Sequence, residues 1–351
     1  MGRRKSVLIM QGEVTAYRKP VFNALADIYD VTILHSGQPS VGPEDRYREQ
    51  IFPVKAWGPA FLQDVGFVRR AMKGFDAVVS MFDLRWPAFL LPLFGKCHGR
   101  FILYGHRYSG NALADGLRDV LMRRADRVLV YGDEEIGAMT ARGIAPSKIV
   151  QAPNTIDVRN HADYSADPKS SLLYVGRLQA RKRLDLALRI FAGLQGRIDD
   201  AIQFDIVGTG EPEDSLRNCA LDLGIAHKVH FYGQITDNEI LADHFRRAIA
   251  YISPGPVGLG ALHSFAFGVP VITLREGRHG PEFHNLVDGE NALIASDEEA
   301  YGKAVLRICT DAALARRLGQ KAYRRYADER SLERLIGGFR LAIEGESSGE
   351  L

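Results

Sequence analysis

Short apolar runs alternate with stretches of helical periodicity along most of the chain. Ser6–Met10 (SVLIM) and Asp30–His35 (DVTILH) have strand length, and between them Tyr17–Ala26 puts Val21, Phe22 and Leu25 on one side of a helix. The unit recurs, with strands over Ala77–Ser80, Arg100–Tyr104 and Arg127–Tyr131, and Ile149–Gln151 then leads into PNTID at 153–157. Its helices fall over Pro87–Phe94, opened by a proline, and Ala112–Ala125. Residues 159–170 are polar without a period and read as a linker. The alternation then starts afresh. Strands are predicted over Leu172–Val175, Gln203–Val207, Val229–Tyr232, Ala250–Ser253 and Val271–Leu274, and helices over Leu184–Leu194, Asp214–Leu223 and Glu239–Arg247. The tail is helical from Asp311. This order implies parallel α/β sheets in two consecutive doubly wound domains with a cleft between them. The expected boundaries are 1–158, the linker 159–170, 171–335, and a C-terminal helix and tail over 336–351.

One stretch departs from the plain alternation. Pro254–Ile272 (PGPVGLGALHSFAFGVPVI) reads as a Gly-rich loop, a short helix from about Ala261 to Phe267, and a turn into a buried strand. Gly258, Leu259 and Gly260 fall where that helix begins, so their amides and the helix dipole can meet an anion. The alternative is a turn whose glycines only permit tight packing. His263 lies on the first turn of the same helix.

Composition narrows the class without choosing a function. With 46% hydrophobic and 25% charged residues among 351, the chain suits two soluble globular domains. Its net charge of +2 hides an asymmetry: residues 1–160 carry 22 Lys/Arg against 16 Asp/Glu, whereas residues 161–351 carry 23 against 27. A basic first half fits an anionic partner, such as a membrane surface or a pyrophosphate-linked acceptor, or else a merely solvated basic face. Cys97, Cys219 and Cys309 form no disulfide or zinc pattern, which fits a reducing compartment. The apolar run after MGRRK is too short for a signal peptide, and Trp86–Phe94 is too short and proline-broken to span a membrane.

The strongest chemical signal is Tyr174–Asp185 (YVGRLQARKRLD). Arg177 and Lys182 follow a strand end and can grip a diphosphate, the arginine by its planar fork and the lysine as a point charge; solvated loop cations are the alternative. Neither FDIVGTGEP nor the first strand's Gly12 completes a dinucleotide fingerprint. GxxxxGK[ST], HExxH and Asp-x-Asp are all lacking, and no GxSxG elbow follows a strand, which disfavours dehydrogenase, P-loop, zinc-protease and serine-hydrolase chemistry. No nucleic-acid partner is expected.

Taken in order, Arg177 and Lys182 in VGRLQARK, then IVGTGEP, VHFYGQI, GLGALHSFAFGVPVI and GPEFHNLVDGENALI resemble the donor domain of retaining glycosyltransferases of the GT-B fold, family 4. QGEVTAYRKPVFNALA, LYGHRYSG and APNTID resemble the acceptor domain of its bacterial members. The resemblance implies an α/β fold of two Rossmann-like doubly wound domains, with C-terminal helices packing back toward the first. It also implies a nucleoside-diphosphate sugar donor (uridine first, guanosine second), a glycan or lipid-linked acceptor, and neither metal nor cofactor. The setting would be cytoplasmic, at the inner face of the membrane if there is a peripheral contact.

On that resemblance the expected catalytic residues are Arg177, Lys182 and His106, the last near the donor sugar or else a structural histidine at a strand end. Donor contacts are expected from Gly12, Gly233, Gly258, Leu259, Gly260, His263 and Glu282. Tyr17 and Arg18 are acceptor-side candidates, with Arg18 pairing an acidic sugar or a lipid pyrophosphate; the alternative is an ordinary helix start with Pro20 in its first turn. There is one departure. Two glutamates eight positions apart, usual in the family, fall on Gly255 and His263. His263 can still hydrogen-bond a ribose hydroxyl, whereas Gly255 offers no side chain to a sugar. A non-catalytic sugar-nucleotide-binding protein, or an epimerase or hydrolase of the same fold, is the rival reading.

Overall fold

The computed structural model describes residues 3–94, 99–105, 108–158, 169–277 and 279–345. They form two compact units, residues 1–157 with 332–351, and residues 158–331. The expected linker lies almost wholly outside the described residues.

In the first unit the elements are β1 (Ser6–Met10), α1 (Lys19–Ile28), β2 (Asp30–His35), β3 (Arg48–Ile51), β4 (Val54–Trp57), β5 (Ala60–Gln63), α2 (Val65–Ala71) and β6 (Ala77–Met81). Then come β7 (Arg100–Tyr104), α3 (Ala112–Arg124), β8 (Arg127–Val130), α4 (Asp133–Ala141) and β9 (Ile149–Gln151). All pairs in the sheet β3-β2-β1-β6-β7-β8-β9 are parallel, while β4 and β5 make a separate antiparallel hairpin. The central strands are buried on both faces, which is why they read as continuous apolar runs.

Pro87–Phe94 is a 3-10 helix rather than the regular helix its pattern predicts, and it contains Pro92, which lacks the N–H an α-helical turn needs. Trp86 is stacked between Phe61 and Phe89, with ring centroids 4.7 and 5.2 Å away. The C-terminal helix Leu332–Glu344 starts four residues before the boundary expected at 336 and completes this unit's core through Leu335, Phe339 and Ile343. It comes so close to β9 that a Cβ on Gly338 would lie 2.2 Å from the Gln151 carbonyl oxygen.

The second unit runs β10 (Ser171–Val175), α5 (Leu184–Gly193), β11 (Gln203–Val207), α6 (Glu213–Asp222), β12 (Val229–Phe231), α7 (Asn238–Arg247) and β13 (Ala248–Ser253). It continues with α8 (Gly260–Ala266), β14 (Val271–Leu274), β15 (Ala292–Ala295), α9 (Glu298–Thr310) and α10 (Ala312–Glu329). Its sheet, β12-β11-β10-β13-β14-β15, is again parallel throughout. The turn after α8 is held from outside, because α10 crosses it at Gly319, where a Cβ would meet the Gly268 carbonyl oxygen at 2.1 Å.

Candidate functional site

In the second unit the chain leaves β10 at Val175, passes Gly176 and Arg177, and makes a 3-10 turn over Ala180–Lys182. Arg183 then takes a left-handed φ of 55° before α5 begins. That tight corner brings Lys182 against the loop after β13. The Gly255 amide donates to the Lys182 carbonyl at 3.1 Å, and Lys182 Nζ donates to the Pro256 carbonyl at 2.5 Å. Burial holds the ammonium below its ordinary pKa; Arg181 adds to that depression and Glu282 opposes it. The Arg177 side chain is exposed and has no protein partner among the described residues.

These groups border a cavity of about 320 Å³, lined by Arg177, Lys182, Gly258, Leu259 and Gly260 together with Tyr174 and Tyr251. The two tyrosines brace the loop after β10. Tyr174 donates to the Arg177 carbonyl at 3.0 Å and Tyr251 to the Val175 carbonyl at 2.7 Å. Position 260 requires glycine, since a Cβ there would sit 2.1 Å from the Tyr251 hydroxyl. Among the described residues no acceptor takes the amides of Gly258, Leu259 or Gly260. The cavity therefore offers cations and free N–H donors from one side, a combination suited to a polyanion such as a diphosphate.

The glycine loop is also gripped from the segment after β14. The Val257 amide donates to His279 Nδ1 at 3.1 Å, and the Gly280 amide donates to the Val257 carbonyl at 3.0 Å. His279 is stacked on Phe283, 4.0 Å between centroids, and burial lowers its pKa. Glu282, 7% exposed, lies in the 3-10 turn Pro281–Asn285 and acts on Lys182 through its charge.

The remaining expected residues lie elsewhere. His263 does not line the cavity; its ring stacks 4.7 Å from Phe245 and 5.8 Å from Phe267, and burial pushes its pKa down to about 4. Gly233, at φ +68°, follows β12 and accepts the Gly208 amide at 2.7 Å. In the first unit Gly12 follows β1, with a Cβ there 3.0 Å from the Trp86 ring. Tyr17 and Arg18 form the 3-10 turn before α1. His106 lies outside the described residues. No cluster of three or more His, Cys, Asp or Glu that could hold a metal occurs among the described residues.

The fold has known counterparts among solved structures. A glycosyltransferase from Rickettsia africae is 13% identical, with a TM-score of 0.74, covering 98% of this chain and 100% of its own. HepE from Anabaena, solved in complex with UDP, is 14% identical with a TM-score of 0.72, covering 97% and 100%. The fold is GT-B.

Within this GT-B chain, residues 159–325 match the family described as glycosyl transferases group 1. The lipopolysaccharide core biosynthesis glycosyltransferase LpsE of Rhizobium meliloti is 28% identical over 170 residues, 48% of each chain. A GDP-mannose-dependent phosphatidylinositol monomannoside mannosyltransferase of Mycolicibacterium smegmatis is 28% identical over 167 residues, 44% of this chain and 43% of that one. The chain thus spans about half the length of the curated relatives it matches.

Three residues at these sites are absent from the sequence expectation. His279 carries a faint signal, being flanked by Gly277 and Gly280 in a loop. Tyr104 and Tyr131, which bond Arg18, carry none, since they read simply as strand ends.

Proposed function

We propose that this chain is a retaining, metal-independent glycosyltransferase of family 4. It would move a sugar from a nucleoside-diphosphate sugar to a glycan or lipid-linked acceptor in surface-polysaccharide synthesis. The observation that carries the reading is the placing of Arg177 and Lys182 beside the Gly258–Gly260 amides around one cavity. In the reaction the bond between the anomeric carbon and the diphosphate oxygen breaks as the acceptor oxygen bonds that carbon from the same face. The acceptor's proton passes to the departing phosphate oxygen, so no separate base is needed. Lys182, Arg177 and the loop amides stabilise the charge that develops on the leaving group; losing one such donor typically costs about 10²–10³-fold in rate.

Uridine is the first expectation for the nucleoside and guanosine the second; HepE is solved in complex with UDP, and the mannosyltransferase of Mycolicibacterium smegmatis is GDP-mannose-dependent. Gly233 and His263 are assigned to the nucleoside, Glu282 to the loop acting on Lys182, Gly12 and His106 to the donor, and Tyr17 and Arg18 to the acceptor. A peripheral contact with an anionic membrane at the cytoplasmic face is part of the proposal. It is supported by Leu113, Leu117 and Val120, which are 88, 49 and 44% exposed along one stripe of α3. Arg124, beyond them on that stripe, lies 4.9 Å over the 64%-exposed Phe94 ring. No helix among the described residues is long and apolar enough to cross a membrane.

Gly255 favours a second reading, a sugar-nucleotide-binding protein without turnover. Donor turnover measured with and without an acceptor extract decides between them. Acceptor-dependent release of nucleoside diphosphate supports the transferase, release without acceptor supports a hydrolase, and binding with no release supports the binding protein.

A further inference from the structure

The first unit holds a cation whose surroundings call for a ligand. Arg18 is half-buried in the turn before α1, and its guanidinium donates to the Tyr104 hydroxyl at 2.6 Å and, at 3.4 Å, to that of Tyr131. Its carbon centre lies 5.1 Å from the Tyr104 ring centroid and 5.7 Å from that of Tyr17. No carboxylate pairs with it among the described residues. Lys19, the next residue, is compensated by Asp45 at 3.0 Å, and Arg118 by Asp115 at 2.7 Å.

The cage is also made of donors. A guanidinium has five N–H groups, of which the phenols take two. The two phenols also meet through a hydrogen bond between their hydroxyls, which leaves one phenol proton to give. A half-buried cation with free donors and no counter-charge is costly unless something anionic completes it. The place suits a ligand too, since Tyr104 ends β7, Tyr131 follows β8 and Arg18 follows the loop after β1, the carboxyl edge where open parallel sheets bind their ligands. The second phenol is held close, for a Cβ on Gly105 would lie 2.9 Å from the Tyr131 hydroxyl.

We propose that Arg18, Tyr104 and Tyr131 form a receptor for an oxyanion, carboxylate or phosphate, carried by the acceptor. The proposal rests on the reading of the first unit as the acceptor side and makes that acceptor anionic. The planar fork of Arg18 takes two oxygens side by side while the remaining phenol proton completes the shell. The oxyanion belongs either to a sugar or to a lipid headgroup.

Calorimetric titration of the full chain, its donor site saturated with UDP, tests this. The probes are methyl glucuronide, glucose 1-phosphate, and phosphatidylcholine vesicles with and without phosphatidic acid. The expected result is binding of an oxyanion probe that falls about tenfold or more in Arg18→Gln, as loss of a charge-assisted pair requires. Tyr104→Phe should weaken it less, with UDP affinity unchanged in both variants. A response to the soluble probes assigns the group to a sugar, and a response to phosphatidic acid alone assigns it to a lipid. Oxyanion affinity equal in wild type and both variants overturns the receptor, as does no binding by wild type while UDP binds. Failure of UDP itself to bind contradicts the donor reading instead.

Discussion

Replacing Gly255 tests whether Lys182 and the glycine loop form one scaffold. A Cβ at position 255 would lie 2.2 Å from the Arg181 carbonyl oxygen and 2.6 Å from the Lys182 Cα, both main-chain atoms that cannot swing aside. Gly255→Ala therefore pushes the Arg181–Lys182 backbone away and strains the 3.1 Å bond from the Gly255 amide to the Lys182 carbonyl. Overpacking of this kind costs about 1–3 kcal/mol and the weakened hydrogen bond roughly 1 kcal/mol more, so the loss should be about 2–4 kcal/mol. In a unit of this size that corresponds to a melting temperature lower by about 5–15 °C. Lys182 Nζ leaves the Pro256 carbonyl at the same time, so UDP affinity should fall with stability. Gly255→Glu, which restores the residue usual in the resembling family, should do the same rather than improve turnover. Differential scanning calorimetry and UDP titration on both variants supply the readouts. An unchanged melting temperature with unchanged UDP binding in Gly255→Ala would refute the packing argument.

Further outcomes follow from the same geometry. Arg177→Ala should weaken UDP binding by about 10–100-fold with little change in melting temperature, because that side chain has no protein partner to lose. His279→Ala removes the acceptor of the Val257 amide and should lower UDP affinity; His279→Asn, which keeps an acceptor, should recover part of it. His263 has a native pKa of about 4, below the ordinary 6.5, so as pH falls the unfolded chain binds the proton first. Its contribution is whole above pH 6.5 and is lost as pH drops toward 4; urea denaturation across that window should show a shallower decline in His263→Phe than in wild type. Leu113→Asp combined with Leu117→Asp should abolish flotation with vesicles containing anionic lipid, and flotation equal to wild type would exclude the α3 stripe as the contact.

Much of the fold is legible because its strands are buried on both faces. β1, β2, β7, β11 and β14 coincide with apolar runs read directly from the chain. What escapes the sequence is exposed and short. β3 is REQI, mostly exposed, at the edge of its sheet, and β4 with β5 forms a hairpin detached from it, so none carries a buried alternation. The cavity divides in the same way. Arg177 and Lys182 announce themselves by following a strand end, since that chemistry is local. The His279 bond to Val257 spans 22 residues and the Arg18 bond to Tyr131 spans 113, so folding alone creates them. Gly255 illustrates both sides. The chain shows that a usual glutamate is missing, and only the packing shows that the Arg181–Lys182 main chain fills the place a side chain would take.

The central claim is that Lys182 and its cavity hold a nucleoside diphosphate. Calorimetric titration of wild type and Lys182→Ala with UDP, GDP and UMP tests it most directly. The expected result is a nucleoside diphosphate that binds wild type and loses about tenfold or more in the variant, as removal of one charge-assisted contact predicts, while UMP is affected far less. Diphosphate binding undiminished in Lys182→Ala, or no binding of UDP or GDP by wild type, would contradict it.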